Sequence, residues 1–214
     1  MARTQYLQEL ESVRQNLVHM GETTLALLTE AIRAVSATDA GSPERASELE
    51  AKTDHQLRTI HDQCLSLIAL QAPVARDARL ITAILDAIVD LELIGDYAYE
   101  IVTISNSTGH RPPHPITNQL SGIGSRTCEI LSKAIDGWRN EEAARGLSVG
   151  PQAVVIRADC QTLYGKLAQL TSGPGDAMPY VNVMLLCRHL ERISRHAACV
   201  AEQAAGTVPA TSSN

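Results

Sequence analysis

Apolar and small residues recur at Leu10, Val13, Leu17, Met20, Thr24, Leu27, Ala31 and Ala34, in steps of three and four. That spacing predicts one long amphipathic helix with a narrow buried seam. Gly41-Ser42-Pro43 interrupts it, with Ser42 placed to cap a second helix whose first position is Pro43. The second helix carries Leu57, Ile60, Cys64 and Leu67 on its seam and runs to about Gln71. Pro73 opens a third, which continues to about Ile104. The plan then returns in shortened form. A helix from about Thr117 to Arg145 is followed by Gly150-Pro151 and a helix to Leu170; TSGPGD at 171–176 makes a turn before a last helix to about Ala205.

The repetition is also visible in the letters. DLELIGDYAYEIV at 90–102 is echoed 99 residues later by HLERISRHAACVA at 189–201. Between the copies, SNSTGHRPPHP at 105–115 sets a glycine and three prolines close together, which no helix interior tolerates. The expected fold is therefore all-α, two tandem three-helix bundles related by internal duplication. The expected boundaries are 1–108 for the first repeat, 109–116 for the linker, 117–206 for the second repeat and 207–214 for a disordered tail.

Composition supports this and narrows the function. Hydrophobic residues make up 44% of the 214, aromatics only 3%, and there is no Phe. No run of 18 apolar residues is free of charge and the N-terminus has no apolar signal core, so a cytoplasmic protein is expected, peripheral to the membrane only through partners. Five cysteines, Cys64, Cys128, Cys160, Cys187 and Cys199, fall in apolar helical patterns without a C-x-x-C and read as reduced core residues, with a thiolate metal site as the minor reading. A net charge of −6 argues against nucleic acid. The distribution is more telling than the total. Residues 1–107 carry 8 basic against 16 acidic side chains, a net of −8, whereas residues 108–214 carry 10 against 8, a net of +2.

The third helix concentrates the acids. Glu92, Asp96 and Glu100 span about 80° of its circumference, so their carboxylates share a face, and apolar neighbours limit their access to water. No Lys or Arg occurs between 80 and 110 to neutralise them. A solvated acidic face is the bland reading; a bound cation is the sharper one. Helix two offers a second pair, Glu50 and Asp54, able to converge with Glu92 and Asp96 on an oxygen-rich site if the helices run antiparallel. Asp90 and Glu100 are additional candidates, and Gly95 would let another backbone approach closely. In the second copy each pair has lost one acid. Glu191 keeps the place of Glu92, but Arg195 replaces Asp96, and Val155/Asp159 replace Glu50/Asp54. Glu191 and Arg195, one turn apart, can form an intrahelical ion pair. Asp159, His189 and Glu191, with His196 nearby, remain a weaker second-site candidate.

The run CLSLIALQAPVARDARLITAILDAIVDLELIGDYAYEI at 64–101, with its P-x-A-x-D-x-R and L-E-x-I-G-D elements, resembles the PhoU family of bacterial phosphate-signalling regulators. LVHMG at 17–21, Asp54 and the repeat containing LERISRHA fit the same family. The resemblance implies two three-helix bundles and multinuclear iron or zinc clusters held by paired E/D-x-x-x-D motifs, at Glu50, Asp54, Glu92 and Asp96 here. It implies a negative regulator of the phosphate-starvation response that links the ATPase of a high-affinity phosphate ABC transporter to a sensor histidine kinase. Asp77 and Arg79 match its D-x-R element, as a structural ion pair or part of a partner surface. Val155, Arg195 and Leu93 depart from its pattern, which puts a second full cluster in doubt.

The competing reading is a carboxylate-bridged metal-storage or redox bundle. Its usual E-x-x-H motifs are missing, as are a Gly-rich phosphate loop, a nucleophile elbow and H-E-x-x-H. An enzyme is accordingly not expected. Long helices with partly apolar outer faces are compatible with a homodimer.

Overall fold

The computed structural model describes residues 2–36, 42–71, 74–107, 114–140, 147–171 and 177–207. These form six long helices: α1 (Ala2–Val35), α2 (Pro43–Gln71), α3 (Ala75–Ser107), α4 (His114–Asn140), α5 (Val149–Thr171) and α6 (Met178–Thr207). Ser42 caps α2 by accepting the Arg45 N–H at 3.2 Å, with Pro43 opening the helix. Helix α4 begins at His114 rather than near Thr117, because a proline is tolerated in a first turn, where its missing N–H breaks no bond. Pro73, most of the linker, the 172–176 turn and the tail beyond 207 lie outside the described residues.

Helices α1–α3 pack on one another, as do α4–α6, and the two bundles meet through α1 on α4 and α3 on α6. The buried seam of α1 is the one the spacing predicts, with Leu10, Leu17, Met20 and Leu27 all essentially inaccessible. Thr24 sits on that seam without exposure because its hydroxyl donates to the Met20 carbonyl at 3.0 Å. The core is continuous from one bundle into the other.

The duplication is built into the join. A Cβ on Gly21 of α1 would lie 2.8 Å from Ile135 Cγ1 of α4; a Cβ on Gly124 of α4 would lie 2.3 Å from Ile32 Cδ1 of α1. Gly124 follows Gly21 by 103 positions, and Ile135 follows Ile32 by the same 103. One contact is thus made twice, each glycine receiving the other helix's isoleucine. Thr127 repeats Thr24 at the same offset, donating to the Ile123 carbonyl at 2.9 Å. The equivalence is not complete: Trp138, 3% exposed, stands where the first copy has Val35, and its indole N–H donates to the Val200 carbonyl at 3.0 Å.

The cysteines are all free thiols. Cys64, Cys160 and Cys187 are buried as expected, whereas Cys128 and Cys199 are only partly buried. Burial pushes the thiols of Cys64 and Cys128 up to about 11, so neither is a thiolate at neutral pH.

Candidate metal centre

Helix α2 lies antiparallel to α3, with Thr53 of α2 against Gly95 of α3. A Cβ on Gly95 would sit 3.5 Å from Thr53 Cγ2 and 3.9 Å from Leu27 Cδ2, ordinary contact distances. Gly95 therefore meets side chains rather than the close backbone expected of it. This packing sets Glu50 and Asp54, one turn apart on α2, against Asp96 of α3. One carboxylate oxygen from each lies within 4.8 Å of the others, and all three residues are half-buried.

The electrostatics are those of a site short of positive charge. Burial first, then the charges of Asp54 and Asp96, push the Glu50 carboxyl above its ordinary range. Asp96 is raised by burial, then by Asp54 and Glu100. Glu92 stands beside the trio and is raised by burial, then by Asp96, Asp54 and Glu50. Each shift reports a charged form disfavoured by desolvation and by like neighbours. Among the described residues one guanidinium reaches the group: Arg58 Nη2 lies 3.3 Å from Asp54 Oδ2, a partner on α2 itself, outside the 80–110 stretch that holds no basic residue. The donor set, oxygen-only and converging from two helices, fits a hard or borderline cation.

The other candidates go elsewhere. Asp90 turns away from the trio and accepts bonds from His196 Nδ1 at 2.7 Å and Gln203 Nε2 at 2.8 Å, tying α3 to α6. Six residues along a helix place it about 120° from Asp96, which explains the divergence. Glu100 is exposed, near enough to Asp96 to raise its pKa. Asp77 raises the Tyr6 phenol, burial being the larger cause, and among the described residues it makes no ion pair with Arg79.

In the second repeat, arginines hold the acids. Asp159 Oδ2 lies 2.7 Å from Arg126 Nη1 of α4. Glu191 is bound by Arg188 Nη1 at 3.0 Å and by Arg157 Nε at 3.4 Å. The Glu191–Arg195 pair that the spacing allows is not formed: Arg188, one turn back on α6, and Arg157, from α5, take both carboxylate oxygens, and Arg195 is exposed. His189 packs against the Tyr97 ring, centroids 5.7 Å apart, and burial lowers its pKa. Asp159, His189 and Glu191 are not gathered; among the described residues, Glu50, Asp54 and Asp96 are the one group of ligand-type side chains with converging atoms. Arg188, at i−3 to Glu191, was legible as a partner. Arg126 and Arg157 act across helices and had no local signal.

The PhoU domain family model matches residues 17–105. A phosphate-specific transport system accessory protein PhoU homolog of Synechocystis sp. is 31% identical over 94% of this chain and 90% of its own length. The corresponding Escherichia coli accessory protein is 25% identical over 88% of this chain and 79% of its own. The crystal structure of PhoU from Pseudomonas aeruginosa superposes with a TM-score of 0.89 at 27% identity, covering 95% of this chain and 98% of that one. With the same six-helix architecture and this likeness along nearly its whole length, the chain belongs to the PhoU family.

Proposed function

We propose that this protein is a metal-binding regulatory adaptor of phosphate uptake, a cytoplasmic negative regulator linking the ATPase of a phosphate transporter to a sensor histidine kinase. The observation that carries the transport role is the 31% identity, over nearly the full length of both chains, to an accessory protein of a phosphate-specific transport system. No helix among the described residues is long and apolar enough to cross a membrane, in keeping with a protein that reaches the membrane through partners. The role is non-enzymatic in this reading: the chemistry gathered at the site is a set of carboxylates able to hold a cation.

Glu50, Asp54 and Asp96 would hold the metal, iron or zinc, with Glu92 adjacent. The cation would supply the positive charge that these raised carboxylates lack, fastening α2 to α3. Deleting the gene and assaying alkaline phosphatase in high phosphate tests the regulatory role: derepression is expected, and intact repression refutes it. Metal analysis of chelator-free protein against Asp96→Asn tests the site. Metal in the wild type and its loss in the variant are expected; equal, metal-free results for both count against it.

A further inference from the structure

The second repeat has a groove of about 710 Å³ at the α5/α6 surface, where Arg157 of α5 joins Arg188, Arg192 and Arg195 of α6, with Tyr97 of α3 and His196 also lining it. The three arginines of α6 follow at i, i+4 and i+7. Their Cα–Cβ directions fall within about 60° of the helix circumference and extend over about 10 Å of its length. Two carboxylates share the groove, Glu191 and Glu202. Glu191 occupies Arg157 and Arg188. Arg192 has a neutral partner, donating from Nη1 to the Tyr97 hydroxyl at 2.8 Å and lying 5.4 Å over its ring. Arg195 makes no ion pair among the described residues. His196 is committed to Asp90. Four guanidiniums thus face two carboxylates, and Arg192 and Arg195 have no carboxylate between them.

We propose that this groove binds a phosphoryl oxyanion. Guanidinium N–H donors are strongest toward oxyanions, and their fork geometry suits the oxygens of a tetrahedral phosphoryl group. Arg192 and Arg195 supply the uncompensated charge; Arg188 and Arg157 can share their remaining N–H groups while retaining Glu191. Arg195 stands where the first repeat has Asp96, so one duplicated position carries a negative charge in one bundle and a positive charge in the other. The groove is roomy enough for the phosphoryl group to be free or carried on a small molecule. This inference stands apart from the metal reading: it uses none of the metal ligands and survives if no metal binds.

The test is titration calorimetry on the full chain at low salt with inorganic phosphate, pyrophosphate and AMP as separate probes. Saturable binding of at least one is expected. Saturation by inorganic phosphate assigns free phosphate, and saturation by pyrophosphate or AMP alone assigns a phosphoryl group on a larger ligand. Arg192→Gln and Arg195→Gln should each weaken binding roughly tenfold or more, as expected for loss of a charge-assisted pair. Arg45→Gln, outside the groove, should leave it unchanged, with thermal melts confirming that every variant is folded. No saturable binding of any probe, or binding equally strong in both groove variants, overturns the proposal.

Discussion

The two repeats share a backbone plan and invert its electrostatics. In the first, three half-buried carboxylates converge between α2 and α3, with Arg58 on one of them. In the second, Arg126, Arg157 and Arg188 neutralise the two surviving acids, and Arg192 and Arg195 add further positive charge. Positions equivalent to Thr23 and Val89 of the first copy hold Arg126 and Arg188 in the second. The lesson is that the two copies of this position differ by more than the two acids absent from the second. The surroundings differ as well, with arginines pairing the acids that remain, so the two repeats differ in the sign of the charge they gather and not only in the number of their acids.

The comparison can be pressed hardest in the core. Trp138→Ala should destabilise the protein by about 3–5 kcal/mol, the usual range for a buried aromatic. Val35→Ala, at the equivalent place in α1, should cost less than about 3 kcal/mol, the upper end for fully burying such a side chain. Urea unfolding of both variants measures the difference, and equal losses would contradict the asymmetry of the two cores.

The next largest contrast concerns metal. Asp96→Asn should lower affinity about a hundredfold, roughly 2.7 kcal/mol, whereas Asp159→Asn should leave metal content unchanged. Equilibrium dialysis with zinc distinguishes them. Restoring both missing acids with Val155→Glu and Arg195→Asp should still create no second site, because Arg126, Arg157 and Arg188 remain to neutralise it.

Ion-pair changes should be smaller. Arg188→Ala is expected to cost at most about 1 kcal/mol, since the guanidinium is largely solvated and Arg157 still reaches Glu191. Arg58→Ala removes the cation competing for Asp54 and should tighten metal binding slightly, by about 0.5 kcal/mol or less.

An effect of similar small size is a pH dependence of the metal-free protein. The carboxyls of Glu50, Glu92 and Asp96 are raised in the folded chain, first by burial and then by like charges. The folded state therefore holds their protons more tightly than the unfolded state. Their contribution to stability is full below the ordinary carboxylate pKa of about 4 and is lost as pH rises through the raised folded values. Asp96→Asn should lessen this loss, raising the melting temperature of metal-free protein at neutral pH more than in acid. All three remain partly solvated, so the change should stay below about 1 kcal/mol. Differential scanning calorimetry across that pH range reads it, and an identical pH profile in the variant would remove the repulsion argument.

Much of the fold was legible because long helices write their buried faces into the chain at steps of three and four. The seam from Leu10 to Ala34 and the Ser42 cap depend on positions within one or two turns of each other, and the echo of DLELIGD in HLERISR is visible in the letters themselves. The pairing of Gly21 with Ile135 and of Gly124 with Ile32 was also encoded, in the shared offset, but it shows only when α1 and α4 are set side by side. At the site, Glu50, Asp54 and Asp96 were legible as acids at helical spacing, and helix geometry predicted which could share a face. The same geometry carried Asp90 away toward His196, a separation that a list of acids in one helix conceals.

The amino-acid sequence by itself determined six amphipathic helices, their duplication and the excess of negative charge in the first half, because periodicity and composition are local properties. Only the tertiary structure decided which charges meet. Glu191 could pair with Arg195 by spacing, yet it pairs with Arg188 and Arg157, because packing α5 against α6 brings a guanidinium from another helix within reach. Ion pairing depends on distances of a few ångströms between side chains far apart in the chain, and those distances are set by helix packing.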